Sequence, residues 1–141
     1  MRKALFLIAL AVAAAVGYIA LVKPYVKDAS YIATAPDTAM AVFTFVNPTP
    51  FTVCITGAEV LKPPGVLAEL HVTEINGTLV AMRPIDKVCA APFSAVKFTH
   101  FGYHLMLTGN ITGDVEIRLR LSNGEDLVFA AARTQLEIHI H

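Results

Sequence analysis

Two histidines and two methionines stand at spacings that could bring nitrogen and sulfur donors together. His104 and Met106 are two residues apart, and alternate residues of a β-strand point to the same face. Upstream, Asn76-Gly77 is a strong signal for a two-residue hairpin, and a turn made of these two residues places His71 directly opposite Met82. The hairpin and the later strand would then each present one imidazole and one thioether on a single face.

Such a set of donors favours a soft metal ion. Thioether sulfur is a neutral, weakly basic ligand that selects Cu(I) over Mg²⁺ or Ca²⁺, whereas zinc prefers thiolate, imidazole or carboxylate. Neutral ligands leave the bound ion with its positive charge, which is costly to bury, so we expect the site near the surface. Taken singly, each residue is more typical of a structural role, since methionine fills cores and a lone histidine is usually a satisfied polar residue. The other two methionines, Met1 and Met40, take no part in this prediction.

The elements that must position these donors are strands. From about Val26 onward, short apolar or alternating runs are separated by turn residues, with no convincing amphipathic helix. In DVEIRLRL, residues 114–121, apolar and charged side chains alternate, which predicts one buried and one solvated face. Seven or eight such strands predict an all-β fold, an antiparallel sandwich or small barrel forming one domain over residues 26–141.

The N-terminal segment, residues 1–25, has a different character. Arg2 and Lys3 precede an apolar run from Ala4 to Val22, which is typical of a secretory signal peptide and also long enough for a membrane anchor. Retention is slightly favoured, because the run continues past its alanine-rich patch. In either case we expect the domain outside the cytoplasm, in the periplasm or on the outer face of the cell membrane, because the basic residues stay inside.

Composition and motifs argue against several other functions. Eleven basic residues balance eleven acidic ones without a basic stripe, so no nucleic-acid partner is expected. The sequence contains no hydrolase triad motif, HExxH or phosphate-binding loop, so no enzyme is predicted. Cys54 and Cys89 form either a disulfide or two unpaired thiols. A blue-copper site needs a cysteine near its histidines, but ten residues separate Cys89 from His100 and no histidine lies near Cys54.

The four donors together form a longer pattern. His71, Met82, His104 and Met106 fit H-x10-M-x21-H-x-M, and the sequence resembles the periplasmic copper chaperone family PCu(A)C in this signature. The surroundings AVFTFVNPTP, GYHLML and GDVEIRLRLSNGEDLVF are similar as well, so that the resemblance covers about residues 26–130.

The resemblance implies a cupredoxin-like β-barrel whose rim binds one Cu(I) through these two histidines and two methionines. It also implies delivery of copper to a respiratory oxidase, especially its CuA centre, so that the partner would be an oxidase subunit or another copper chaperone. The sequence departs from the family at THFG, which replaces a Pro-Gly-Gly-like turn and places His100 near the site. Cys54 and Cys89 are not part of the family's copper signature.

Two alternatives stay open at the level of the sequence. In LEIHIH, His139 and His141 share one face, which is either the polar face of a last strand or an auxiliary imidazole pair better suited to Cu(II). The whole domain could also be a membrane-anchored structural or adhesive β-sandwich without a metal role, because a fold alone does not dictate a function.

Overall fold

The chain forms one helix followed by ten strands in a computed structural model, which describes residues 2–134. The elements are α1 (Arg2–Leu21), β1 (Tyr25–Ala35), β2 (Thr38–Asn47), β3 (Val53–Lys62), β4 (Leu67–Asn76), β5 (Leu79–Pro84), β6 (Val88–Ala90), β7 (Ser94–Lys97), β8 (Tyr103–Thr108), β9 (Val115–Leu121) and β10 (Asp126–Arg133).

The strands form two layers that share one continuous hydrogen-bonded path. The first layer has the order β5-β4-β8-β2-β1, with β7 also paired to β2, and the second has the order β10-β9-β3-β6. Strands β1 and β10 join the layers through a parallel pairing, and the other pairings described are antiparallel. The sheet does not close, since β5 and β6 lie at its ends. The prediction of an all-β sandwich preceded by a helix is confirmed.

The core lies between the two layers and follows the predicted alternation. All four apolar residues of β9 are buried, while the charged residues between them face outward, as the two-residue period requires. Aromatic rings belong to the same core, and Phe43 of β2 stacks on Phe98 with ring centroids 4.2 Å apart. Alternate residues of β2 and β8 are therefore committed to the core, and their neighbours must face the other way.

The strand count exceeds the predicted seven or eight. The segment of β1 was not predicted as a strand, because most of its side chains are exposed or half-buried and show no clean alternation. Strand β6 has three residues and β7 has four, which is too short for a periodic pattern.

The N-terminal segment is helical over α1. Among the residues that the structure describes, no helix reaches the length and apolar character required to cross a membrane. Signal cleavage, retention and the boundary near residue 25 stay predictions.

A disulfide bond connects Cys54 of β3 to Cys89 of β6. The two residues are direct partners in the β3–β6 ladder, so the bond lies in the second layer, away from β4 and β8.

Candidate metal site

The two histidines lie directly opposite each other on neighbouring strands. His71 of β4 and His104 of β8 are partners in the antiparallel ladder, and their ring centroids are 5.9 Å apart. Leu105 and Leu107 are fully buried in the core, which directs His104 and Met106 to the outer face of this layer. The shared face of His104 and Met106 that their spacing predicts is thus consistent with the alternation of β8.

Hydrogen bonds at both rings determine which nitrogen carries the proton. His104 Nδ1 lies 3.1 Å from the Gly102 carbonyl oxygen, which can only accept, so Nδ1 donates and Nε2 keeps a lone pair. His71 Nε2 lies 3.0 Å from a carboxylate oxygen of Glu69, so Nε2 donates there and Nδ1 keeps its lone pair. Both lone-pair nitrogens are buried, and neither has a hydrogen-bond partner among the described residues. Two orphaned acceptors on facing rings are typical of a site that binds an electrophile.

The environment of His104 keeps its imidazole neutral. Burial is the main influence and lowers the pKa of His104, the hydrogen bond to Gly102 opposes this, and the nearby rings of His71 and His100 lower the pKa further. A neutral ring is the form that can donate its Nε2 lone pair to a metal ion.

Met82 lies on the same face as the histidines, but its pairing on β4 differs from the predicted one by two residues. The observed ladder pairs Met82 with Thr73 and His71 with Pro84, so the predicted direct pairing of His71 with Met82 is wrong. The shift amounts to two residues, and because strand faces repeat every two residues, Met82 remains on the face of His71 as a diagonal neighbour.

The turn explains this difference in register. Gly77 and Thr78 occupy the two loop positions, and Asn76 belongs to β4. Gly77 has a φ of 64°, whereas the only non-glycine residues with positive φ among those described lie elsewhere, at Asp28 and Phe93. One positive φ at the first loop position fits a type II′ turn, whereas Asn-Gly in the two loop positions is typical of a type I′ turn, which requires two.

The observed register also suits the side chains of the hairpin. The predicted pairing would place Arg83 opposite Leu70, which is buried in the core. In the structure Arg83 lies opposite Val72 instead, and its Nε donates to the carboxylate of Glu74.

A cavity of about 270 Å³ lies on this outer face, between β5 on one side and β1 and β2 on the other. Its wall is almost entirely apolar, and the residues that line it include Ile32, Met40, Thr73, Val80, Met82 and His100.

His100 lies beside the site, as its position in THFG predicts. It belongs to a turn whose Gly102 N–H donates to the carbonyl oxygen of Thr99, 3.2 Å away. Thr73 of β4 fixes this turn, because its hydroxyl donates to the His100 carbonyl at 3.2 Å and its N–H to the Gly102 carbonyl at 3.1 Å. His100 lines the cavity with Met82, although the structure gives no contact that would make it a ligand.

Met40 is a neighbour that the sequence analysis left out. It lies opposite Met106 in the β2–β8 ladder, it is 6% exposed, and it lines the cavity together with Met82. No local signal could have found it, because the pairing of β2 with β8 joins segments more than sixty residues apart.

The site is more deeply covered than its expected position near the surface. His104 is completely buried, and the His71 side chain is 14% exposed. Met82 is 44% exposed, because β5 is an edge strand with solvent on both faces. The imidazole pair is therefore enclosed, and the methionine of the hairpin opens towards solvent.

The remaining predicted residues do not join this set. Cys54 and Cys89 are bonded to each other, which leaves neither as a thiolate for a blue-copper site. His139 and His141 lie outside the described residues. Within residues 2–134, no group of three or more His, Cys, Asp or Glu side chains is arranged to hold a metal. The roles of His71, Met82, His104 and Met106 as ligands stay predictions.

Comparison with known proteins relates this arrangement to solved structures. No family model matches the sequence, and no curated protein matches it either. Among solved structures, a copper-bound PCuAC domain from PmoF2 has a TM-score of 0.63 at 15% identity over 81% of this chain and 94% of that chain. An apo PCuAC domain from PmoF1 has a TM-score of 0.63 at 18% identity, over 81% and 95%. An apo PmoF2 PCuAC domain gives 0.60 at 17%, over 83% and 94%. The chain thus has the fold of the PCuAC domains.

Proposed function

We propose that this chain is an extracytoplasmic metallochaperone that binds Cu(I) as its cargo. The observation that carries the proposal is the facing pair of imidazoles, His71 of β4 and His104 of β8, whose buried lone pairs have no partner among the described residues. Strand β8 also presents Met106, and the neighbouring strand β5 presents Met82. A buried acceptor without a partner costs about 1–3 kcal/mol, which a folded chain tolerates where the group serves a ligand.

The spacing of the imidazoles fits a single shared ion. With metal–nitrogen bonds of about 2 Å, two rings that share one ion have centroids about 5 Å apart at a tetrahedral angle and about 6 Å apart at a wide angle. The observed separation of 5.9 Å lies within this range. Two thioethers complete a set of neutral, soft donors, which favours Cu(I) over harder ions.

The surrounding residues prepare the donors for binding. Gly102 and Glu69 each accept a hydrogen bond from one ring, which fixes the tautomer of that ring and leaves the lone pair on its other nitrogen. Burial keeps His104 neutral, so no proton has to leave it before metal binds near neutral pH. Met82 is partly exposed on an edge strand, so a thioether that dissociates readily stands where an acceptor could replace it.

The proposal also includes the compartment in which the chain acts and the protein that accepts its copper. The Cys54–Cys89 disulfide supports an oxidising compartment outside the cytoplasm, as does the apolar N-terminal segment. The resemblance in sequence and the likeness to a copper-bound PCuAC domain support copper as the cargo. We infer that the acceptor is a CuA-type centre of a respiratory oxidase or a second copper chaperone.

An anaerobic titration of the full chain with Cu(I), in competition with a chromophoric chelator, tests this function. We expect one Cu(I) per chain, strong loss of affinity in His104→Leu, and unchanged affinity in the control Tyr103→Phe, which alters the same strand on its other face. In a titration series from pH 8 to 5, affinity should fall below about pH 6.5, because protons then compete for the His104 nitrogen. Equal, weak uptake by wild type and His104→Leu would favour a structural or adhesive β-sandwich without a metal role.

A further inference from the structure

Met40 occupies a rigid position beside the proposed copper ligands. Strand β2 lies between β8 and β1 in the interior of its layer, so hydrogen bonds hold it on both sides. Its neighbours Ala39 and Ala41 are fully buried in the core, which directs Met40 to the outer face, where Met106 lies opposite it. Cβ atoms of opposite residues in an antiparallel pair are about 5 Å apart, within reach of either thioether.

The surroundings of Met40 differ from those of a methionine that only fills space. A core methionine closes gaps, because protein interiors retain few voids larger than a water molecule. Met40 instead borders the cavity of about 270 Å³, and Met82 and His100 border the same space. Its flexible side chain, with three rotatable bonds, therefore has room to change direction towards the imidazoles on the same face.

Met82 and Met40 differ in exposure and in the position of their strands in the sheet. Met82 is 44% exposed on β5, which pairs with β4 alone, whereas Met40 is 6% exposed on an interior strand. Edge hairpins with exposed backbone hydrogen bonds open at a lower free energy than central strands. The methionine that is better placed to leave the ion is thus the one on the hairpin.

We propose that Met40 is a third thioether donor for Cu(I), which binds the ion in place of Met82 when the hairpin releases it towards an acceptor. The exchange breaks one copper–sulfur bond and forms another, so neither charge nor oxidation state changes. The ion then stays bound to His71, His104 and Met106 while the position of Met82 is open to an incoming ligand. This inference rests on the proposed function and adds a residue outside its four ligands.

A double-mutant cycle in the full chain tests the exchange. Leucine has nearly the volume of methionine, so Met40→Leu and Met82→Leu should fold normally. We expect each single variant to bind Cu(I) roughly threefold more weakly and the double variant more than about thirtyfold, because two groups that replace each other at one partner are not additive. Ile32→Val, which alters the same cavity without removing sulfur, is the matched control and should bind as wild type does.

Methyl resonances of ¹³C-methyl methionine, followed during anaerobic addition of Cu(I), supply a second measurement. Met40, Met82 and Met106 should all shift at one equivalent, and the Met40 shift should grow in Met82→Leu. If Met40→Leu binds as wild type does and the double variant matches Met82→Leu, Met40 is not a donor and the four-ligand function stands. If wild type binds no Cu(I) and no methyl resonance shifts, the proposed function itself fails.

Discussion

The fully buried His104 carries a nitrogen that has no hydrogen-bond partner within residues 2–134, where a leucine would bury no polar atom. An unsatisfied buried acceptor costs about 1–3 kcal/mol, so the residue weakens the metal-free fold. Its other nitrogen adds little in return, because the Gly102 carbonyl that it contacts already accepts the N–H of Thr73. A role as a metal ligand therefore explains His104, whereas a purely structural role would leave the loss of stability without compensation.

His104→Leu should therefore leave the metal-free protein as stable as wild type, or more stable by about 1 kcal/mol, while it removes Cu(I) binding. The replacement is apolar and fills most of the volume, and it orphans no polar group, because Gly102 retains its bond from Thr73. Chemical denaturation of both proteins without metal measures the difference. A clear loss of stability would indicate that His104 stabilises the metal-free fold through its packing.

Acidification should separate the same two proteins. Unfolded His104 has a pKa of about 6.5, and burial lowers it in the folded state, so between these values the unfolded chain binds more protons. The free energy of unfolding then falls as pH drops below about 6.5, and His104→Leu should reduce this slope. An unchanged slope in His104→Leu would contradict the assignment of this pH dependence to His104.

The sequence predicts which face of a strand a donor occupies, because this depends only on the two-residue period of that strand. His104 and Met106 share a face by spacing alone, and Met82 shares a face with His71 even though the assumed register was wrong by two. Met40 could not be found in this way. Its place beside Met106 depends on which strands become neighbours in space, and the two-residue period of one strand carries no information about that.

Among the elements, the β4–β5 hairpin ends in an edge strand, β5. All six residues of β5 are exposed, and the strand has a partner on one side only. The ladder to β4 and the Arg83–Glu74 contact hold it in register, and Gly77 forms its turn with positive φ. The position of Met82 depends directly on this turn.

Gly77→Ala should loosen the hairpin and weaken Cu(I) binding several-fold. An added Cβ meets no atom within 4 Å, so the cost comes from the positive φ, about 1–2 kcal/mol for a residue other than glycine. Gly124→Ala is a matched control, because it has the same freedom from contact and a φ of 85° in the β9–β10 turn of the other layer. It should lower stability without changing copper affinity.

Hydrogen exchange of the β5 amides identifies the cause of any loss of affinity. In Gly77→Ala these amides should exchange faster while those of β8 stay protected, since the edge hairpin opens on its own. Equal losses of copper affinity in the two glycine variants would mean that general destabilisation, and not the position of Met82, controls binding.

A strand could be predicted from the sequence where its alternation of apolar and polar residues was local and ran over enough residues. Strand β9 shows clean alternation, and its four apolar residues are all buried. The hairpin was found from Asn76-Gly77, but its turn type was not, because glycine satisfies either type and the choice depends on side chains such as Arg83. Strand β1 was missed because the parallel pairing with β10 and the ladder to β2 stabilise it, and neither leaves a local signal.

At the scale of the whole molecule, the disulfide and the candidate site lie in different layers but are linked through the chain. Cys54 and Cys89 are 35 residues apart, and the segment between them contains β4 and β5, hence His71 and Met82. The bond closes this segment on the β3–β6 side, whereas the donors are positioned by the β4–β8 ladder. The disulfide that closes this segment and the ladder that positions the donors are therefore separate features of the fold.

Replacing both cysteines, Cys54→Ala with Cys89→Ala, should consequently lower stability while leaving the site intact. A closed loop of this length restricts the unfolded chain, so its opening costs roughly 3–4 kcal/mol of unfolding free energy. Thermal unfolding should occur at a lower temperature, yet well below that temperature the variant should bind one Cu(I) with wild-type affinity. Reduced and alkylated wild type, mass-checked for two modified thiols, controls for the substitutions themselves. Weaker copper binding by a variant that circular dichroism shows to be folded would mean that the second layer helps to position His71 and Met82.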